Sequence, residues 1–527
     1  MKIKLFSLLL IAYFLKQLVW LGLIPIWHFP DEEQHFAITS FYAEKNSFPK
    51  GSKLDVNKEI DESSKILGTK RDKRGINKFT YNPDFRIPYT KDTQGLYEEE
   101  VKNLNTIANR QEMVKQEGAR YGPIYYFLTS IPYKVFYNND LITRVMASRL
   151  ISVLLSLVTV YFVYLISKEI FKEKIYQVSL TFLVAMQPMF SFVSSGVSSD
   201  NMFNLIFTGI LYLILKIFFK KTKIVQSSNI YRILNWLLLF GFLIAGFYTK
   251  KQIFIVVPIF FAAFLLSLLR KGIKIKTKDL TLGLVLMGAI TLYIFLKIGI
   301  PEFNPNQAPK MTENLLQYIY WHLRHTIAET IPWYWGVFNW LGVTLPSLVL
   351  KVQARILIVS AVGFIVYMLK QVRNKTFRDI NNLKIIFLLS AAGIYYFSII
   401  FWDYFYRTSH SFSFGIQGRY FFPTIISHML FIMVGLLSLV PDKLNKVKQV
   451  LLKILIVWWV VYSFIGLKTA AGAYFVPWPL NDFLIQASQY KPVLFKVQGL
   501  LVIIVLSLAS LLLFLFKYFN LNERKVS

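Results

Sequence analysis

Long apolar runs alternate with short basic segments along almost the whole of this 527-residue chain. Most runs are close to the roughly 20 residues that a helix needs to cross a bilayer. Lipid offers no partner for free backbone groups and the alternation of barrel strands is not seen, so the runs are predicted to be helices. The predicted spans are 4–27, 143–166, 175–194, 201–219, 232–248, 252–269, 280–299, 347–369, 384–402, 420–440, 449–466 and 496–517.

The basic segments set the predicted orientation of these spans. With about 12 transmembrane helices, the connections at 168–174, 220–232, 270–278, 370–384 and 443–448 fall on one side together with both termini. The positive-inside rule makes that side the cytoplasm. The longer segments then face outside, namely 28–142, 300–346, 403–419 and 467–495. The predicted fold class is therefore all-α, a polytopic integral membrane protein with a long extracytoplasmic first loop.

One aromatic stretch, residues 121–137, is apolar but short. We interpret it as an interfacial or re-entrant helix that lies against the outer leaflet. The alternative is a true span, which would invert all later loops and place the basic connections outside.

Composition narrows the class of protein further. The formal net charge of +30 comes with 55% hydrophobic residues, and the cations follow the loops, so membrane topology rather than nucleic-acid binding explains the charge. The chain has no cysteine, which excludes disulfides and thiolate chemistry. No small-residue cleavage site follows the first apolar run, so it is predicted to be a retained helix.

An acidic cluster follows the first predicted helix directly. Asp31 and Glu32 are candidate catalytic carboxylates at the membrane surface, and a solvated helix end is the plainer interpretation. Asp31 and His35 are four residues apart, so they could share a helical face and either pair or, with Glu32, hold a divalent metal such as Mg²⁺ or Mn²⁺. A metal is optional, and no cofactor is certain.

Several cations stand on the outer side against the charge rule, and they indicate an anionic ligand. Arginine in particular binds phosphate through a planar fork. The candidate phosphate-binding residues are Arg120, Lys250, Lys251 and Arg419. Lysines 250 and 251 could alternatively be snorkelling anchors for anionic lipid.

Further polar residues at the same predicted depth are candidates for substrate binding. They are His35, Asp200, Asn201, His325, Arg407 and Tyr420. Asp200 could instead be a helix N-cap, and His325 could belong to an interfacial aromatic belt. The chain has no Walker loop, no dinucleotide glycine fingerprint and no nucleophile elbow, so nothing indicates a cytoplasmic nucleotide substrate.

The ordered set of short motifs resembles a known family. The matching pieces are Pro30-Asp31-Glu32-x-x-His35, Tyr121-Gly122-Pro123-Ile124-Tyr125-Tyr126, Arg144-x-x-x-x-Arg149, Gln187-Pro188 with Ser198-Ser199-Asp200, Thr249-Lys250, and Gln417-Gly418-Arg419-Tyr420-Phe421-Phe422-Pro423. Together they look like the GT-C superfamily of polyprenyl-phosphate-sugar-dependent glycosyltransferases, and more specifically like its bacterial predicted membrane proteins.

This resemblance implies a domain organisation and a reaction. It implies a conserved transmembrane module over 1–300 with juxtamembrane helices in loop 28–142, an aromatic-rich loop at 301–346, and a variable half at 347–527. It implies an inverting sugar transfer from a lipid-phosphate donor to a glycan, teichoic acid or lipid of the cell envelope, with Asp31 as the acidic catalytic residue, Glu32 as its neighbour and Arg419 on the donor phosphate. A carboxylate can take the acceptor proton, and cations can receive the leaving phosphate.

Two alternatives stay open from the sequence. One is a polysaccharide polymerase or ligase that uses lipid-diphosphate donors and outer-loop Arg and His residues. The other is a lipid or glycan flippase, although charges inside the predicted spans are few. The expected location is the bacterial plasma membrane, with the site on the extracytoplasmic face.

Overall fold

The chain folds almost entirely into helices. The computed structural model describes residues 4–49, 55–72, 76–82, 84, 96–114, 121–219, 229–269, 315–410, 413–476 and 479–521. The helices are α1 Leu5–Leu23, α2 Glu32–Lys45, α3 Lys58–Ile66, α4 Leu96–Asn103, α5 Ile107–Gln111, α6 Ile124–Val135, α7 Leu141–Ile170, α8 Lys174–Ala185, α9 Pro188–Ser194, α10 Ser199–Phe218, α11 Asn229–Phe247, α12 Val256–Leu268, α13 Leu315–His325, α14 Ile331–Trp335, α15 Ser347–Arg373, α16 Ile380–His410, α17 Ile425–Ser438, α18 Asn445–Tyr474, α19 Leu480–Ala487 and α20 Val497–Phe519.

Short non-α elements join some of these helices. Lys251–Ile255 and Gly418–Thr424 are 3₁₀ turns that lead into α12 and α17, and Thr326–Thr330 is a π turn between α13 and α14. The described strands form two small antiparallel pairs, β1 Val56–Asn57 with β2 Met113–Val114, and β3 Val337–Phe338 with β4 Val343–Thr344.

The prediction of an all-α, multi-pass membrane protein is confirmed. Within the described residues, 9 helices are long and apolar enough to cross a membrane, or up to 10 if the bent pair α8–α9 is one span. The count of twelve is not confirmed, because α11 has only a short apolar part at Ile233–Phe247 and the span predicted at 280–299 lies outside the described residues. The predicted domain boundary near residue 300 lies outside them too and stays a prediction.

Helix α6, within the aromatic stretch 121–137, is too short to cross a bilayer. It has 12 residues, whereas a spanning helix needs about 20. It packs on α2 and α7 at the end of the bundle where α1 ends and α7 begins, which we call the loop face. Its start is held by the turn after α11, where Gly122 N donates to Thr249 O at 3.2 Å and a Cβ on Gly122 would collide with the Tyr248 carbonyl. The chain needs glycine there for this close approach.

The bent pair α8–α9 contains a break that a buried lysine caps. The two helices meet at 61°, and Pro188 begins α9. Because α8 ends at Ala185, the carbonyl of Ala185 has no partner within the helix. Lys16 of α1 donates to this carbonyl at 2.5 Å and to Ser191 Oγ at 2.7 Å. Lys16 Nζ therefore supplies a donor at a helix C-terminus, where the last carbonyls lack partners within the helix. This arrangement ties α1 to the helix that leads to the loop face.

Candidate functional site

The acidic cluster lies where the chain turns from α1 into α2. Trp27 and Asp31 both have left-handed backbone conformations, with φ of 64° and 60°. Asp31 occupies the N-cap position of α2, but its side chain makes no capping hydrogen bond. The carboxylate is therefore directed away from the helix start and is available to other elements.

Asp31 is held between two arginines that come from distant parts of the chain. Arg419 Nη2 donates to Oδ2 at 2.9 Å, and Arg71 Nη1 donates to Oδ1 at 3.0 Å. Burial alone would raise the pKa of Asp31, but the charges of Arg419 and Arg71 outweigh it and hold that pKa well below its usual range. With 27% of its side chain exposed, Asp31 is an ion-paired carboxylate rather than a solvated helix end.

A second carboxylate shares Arg419 with Asp31. Asp200 lies in the first turn of α10 and pairs with Lys250, and its Oδ2 is 3.9 Å from Arg419 Nη1. The N-cap of α10 is Ser198, whose Oγ accepts from Asp200 N at 3.2 Å, so Asp200 is free of the capping role considered from the sequence. Lys250 Nζ is 5.0 Å from the centre of the Tyr121 ring. The structure thus brings Asp31, Asp200, Lys250 and Arg419 together.

The Glu32 side chain is directed away from this group and is fully buried. Arg149 donates to Oε1 at 2.7 Å and to Oε2 at 2.6 Å, a bidentate pair with neither side chain exposed. The backbone N–H groups of Trp27 and Val197 donate to the same carboxylate at 3.0 and 3.1 Å. Arg149 also donates to the carbonyls of Ile24 and Pro25 at 2.7 Å each. A catalytic role for Glu32 stays a prediction that these contacts do not favour, because both of its oxygens are occupied.

His35 lies one turn after Asp31 with its ring buried. Its Nδ1 is 2.7 Å from Tyr126 Oη, its Nε2 is 3.5 Å from Ser198 Oγ, and its ring stacks on Tyr121 at 4.8 Å. These hydroxyls, rather than Asp31, are the partners of the two ring nitrogens. Burial lowers the pKa of His35 to about 3, although Asp31 opposes this, so the ring is neutral at physiological pH.

The three residues considered as metal ligands, Asp31, Glu32 and His35, are not directed to a common point. Glu32 is directed to Arg149, His35 to Tyr126 and Asp31 to the arginines. Within the part of the chain that the structure describes, no three His, Cys, Asp or Glu side chains form a group that could hold a metal ion.

The remaining predicted residues occupy different positions. Asn201 is buried and donates to Val193 O and Gly196 O at 3.2 Å each, which shapes the turn before α10. Tyr420 follows Arg419, whose guanidinium is 5.4 Å from its ring. Lys251 is exposed at the start of its 3₁₀ turn. Arg120 lies outside the described residues.

His325 and Arg407 both contact Trp321, in a separate aromatic group on α13 and α16. Arg407 is 4.5 Å from the centre of the Trp321 ring, and His325 stacks on Trp321 at 5.5 Å. His325 Nδ1 is also 3.4 Å from a carboxylate oxygen of Glu329. Substrate binding by this pair stays a prediction.

Sequence reasoning did not single out Arg71 or Glu33, and it named Arg149 only as part of a motif, without a role. Arg71 Nε donates to Glu33 Oε1 at 2.5 Å while Nη1 reaches Asp31. Burial raises the pKa of Glu33 although Arg71 opposes it. A signal was present for Arg149, since an arginine inside a predicted span calls for a partner. Arg71 lies among mixed charges in the long first loop, where no pattern distinguishes it.

The fold and the site together define a multi-pass helical membrane protein with an ion-paired carboxylate cluster at the loop face. The family model described as "Predicted membrane protein (DUF2142)" matches residues 14–428, so the chain belongs to this family. None of the curated proteins matches the sequence.

Several solved structures are similar in fold to this chain. The oligosaccharyltransferase of Archaeoglobus fulgidus in its apo form has a TM-score of 0.49 and 14% identity, over 89% of this chain and 56% of that one. This chain therefore spans little more than half the length of the archaeal protein. ArnT from Cupriavidus metallidurans bound to undecaprenyl phosphate has a TM-score of 0.43 and 13% identity, over 98% of this chain and 76% of that one.

Proposed function

We propose that the protein is a membrane glycosyltransferase that moves a sugar from a polyprenyl-phosphate-linked donor to a glycan, teichoic acid or lipid of the cell envelope. The observation that carries this proposal is Asp31, a carboxylate between two guanidinium groups just after the first helix, one of which, Arg419, also approaches Asp200 and so links Asp31 to the Asp200–Lys250 pair. The proposed location is a bacterial plasma membrane, with the reaction on the extracytoplasmic face and both termini in the cytoplasm, and the basic connections support this orientation.

Arg419 is suited to the donor phosphate because its fork already spans two anionic groups. One Nη reaches Asp31 at 2.9 Å and the other is 3.9 Å from Asp200. A phosphate presents a similar pair of oxygens to a planar guanidinium. Lys250, on the other oxygen of Asp200, lies beside this fork and can approach the same phosphate. Without donor, Arg419 and Lys250 are paired with carboxylates. The donor phosphate binds by replacing those carboxylates as the partner of the two cations.

Asp31 then acts as the general base. The acceptor hydroxyl attacks the anomeric carbon from the face opposite the phosphate, and its proton passes to Asp31. The bond from the anomeric carbon to the phosphate oxygen breaks, its electron pair stays on the phosphate, and the configuration inverts. Once the phosphate occupies Arg419, Asp31 loses a cationic neighbour, so its pKa rises and it becomes a stronger base. The proposal includes no metal step, because the residues considered as ligands do not converge.

The test of this function is a transfer assay with purified protein in lipid nanodiscs. Polyprenyl-phosphate sugars and polyprenyl-diphosphate sugars are offered as separate labelled panels, with envelope material as acceptor. Transfer from the monophosphate panel supports the proposal. Transfer from the diphosphate panel alone would establish the polymerase or ligase class instead. Movement of labelled lipid across sealed vesicles without any transfer would establish a flippase.

Arg419→Lys is expected to weaken binding of polyprenyl phosphate about tenfold, which corresponds to about 1.4 kcal/mol. Lysine keeps the charge but loses the fork that spans two oxygens. The binding constant is measured by titrating polyprenyl phosphate into nanodiscs. Arg324→Lys, the same exchange at an exposed position of α13, is the matched control. Equal binding by both variants would remove Arg419 from the phosphate site.

A further inference from the structure

The tip of the hairpin formed by β3 and β4 has an unusual backbone. Asn339, Trp340 and Leu341 are consecutive residues with φ of 51°, 53° and 63°, all in the left-handed region. None of them is glycine, and residues with a Cβ rarely adopt this conformation. A run of three persists only where the surrounding structure holds it, and such strain tends to accompany functional sites.

Three other segments hold this tip in place. Asn339 N donates to the hydroxyl of Tyr474 at the end of α18 at 3.2 Å. Trp340 Nε1 donates to the carbonyl of Trp27 at 3.0 Å, in the turn that precedes Asp31. Tyr81 N, from the first loop, donates to Trp340 O at 3.3 Å. The contacts fix the indole of Trp340 relative to the turn that carries Asp31.

The face of the Trp340 indole packs against the guanidinium group of Arg71. The Arg71 guanidinium carbon is 4.9 Å from the centre of the Trp340 ring, a cation–π contact, while the guanidinium edge donates to Asp31 and Glu33. Arg71 lies in the segment 67–72, which follows α3 without helix or strand. Edge contacts alone leave a guanidinium free to tilt about its hydrogen bonds, and the contact with Trp340 restricts that tilt.

The two oxygens of Asp31 therefore have separate supports. Oδ2 contacts Arg419, the residue assigned above to the donor phosphate, and Oδ1 contacts Arg71. We propose that Trp340 is a positioning residue: it holds Arg71 against Asp31, so that the carboxylate keeps its orientation when the phosphate takes Arg419. The second predicted outer loop thereby contributes Trp340 to a site whose Asp31 and Arg71 belong to the first. The catalytic part of this inference rests on the function proposed above.

The first experiment needs no activity. Phenylglyoxal modifies accessible arginines, and mass spectrometry measures the rate at each position. Arg71 has 9% of its side chain exposed, so it should react slowly in the wild type. We expect Trp340→Ala to raise the rate at Arg71 at least fivefold and Trp340→Phe, which keeps a ring, to stay near the wild type. Arg324 is the exposed reference within each sample. An unchanged rate at Arg71 would overturn the inference.

The second experiment uses the transfer assay, with the wild type established as active. We expect Trp340→Ala to lower kcat about tenfold and to leave the Kd for polyprenyl phosphate within twofold. In an Arg71→Lys background the same change should cost less than twofold, because the two residues act as one unit. A tenfold loss in both backgrounds would show that Trp340 does not act through Arg71. Trp402→Ala, at a residue 37% exposed in α16, controls for loss of an indole.

The two experiments separate the possible failures. If the wild type transfers no sugar from the monophosphate panel, the proposed function fails, while the phenylglyoxal rates still decide whether Trp340 holds Arg71. If the wild type is active and Trp340→Ala is as active, the positioning role fails and the proposed function stands. Should Trp340→Ala not fold, Trp340→Leu removes the aromatic face with a smaller loss of volume and is compared with Trp340→Phe in the same way.

Discussion

Asp31→Asn should abolish sugar transfer and leave the protein folded. Asparagine has the shape of aspartate but cannot accept the acceptor proton as a base, and loss of a general base costs about 10²–10⁴ in rate. Asparagine also adopts the left-handed conformation readily, so the φ of 60° at this position adds no strain. The rate of labelled-sugar transfer in nanodiscs measures the effect.

The control for this change is Asp55→Asn, the same exchange at an exposed residue just before β1. Both variants should show the wild-type elution profile in detergent. Full activity of Asp31→Asn would remove Asp31 from the mechanism. A variant that is inactive because it is unfolded would show instead that the pairs with Arg71 and Arg419 are needed for the fold.

The neighbouring substitution Glu32→Gln should have the opposite outcome, a loss of folded protein. The amide leaves Arg149 buried without a counter-charge, and removing one partner of a buried pair costs about 3–5 kcal/mol. Glutamine also cannot accept all four of the donated hydrogen bonds at once, since its NH₂ replaces an acceptor. Such a loss is a large part of the usual stability of a folded domain.

The yield of monodisperse protein and the thermal unfolding temperature in detergent measure this second effect. Glu62→Gln removes a charge from a surface glutamate of α3, 34% exposed, and should leave both quantities unchanged. If Glu32→Gln unfolds at the wild-type temperature but fails in transfer, Glu32 belongs to the chemistry, as the sequence first indicated.

The helices were predictable because the apolar runs match the thickness of a bilayer. Each predicted span within the described residues overlaps an apolar helix or the bent pair α8–α9. The break at Pro188 was harder to predict, because the residues on both sides of it are apolar and together read as one span. The short length of α6 follows from its sequence, but its packing on α2 and α7 does not.

The site was only partly predictable, and Asp31 and Glu32 show why. Asp31 is the N-cap in a left-handed conformation and Glu32 is the first residue of α2, so the two adjacent carboxylates face different surroundings. Which one meets Arg149 depends on the position of α7, more than a hundred residues away in the chain. Arg419 and Lys250 stood out because they opposed the charge rule, whereas Arg71 in a charged loop had no such contrast.

The charges at this site have a consequence for how a ligand arrives. The formal charges of Asp31 and the side chains around it cancel, because three acids are paired with three cations. The acids are Asp31, Glu33 and Asp200, and the cations are Arg71, Lys250 and Arg419. A balanced cluster projects little field beyond a Debye length, so it does not steer anions from bulk water. The rate of ligand capture should then depend on lateral diffusion within the bilayer and hardly on ionic strength.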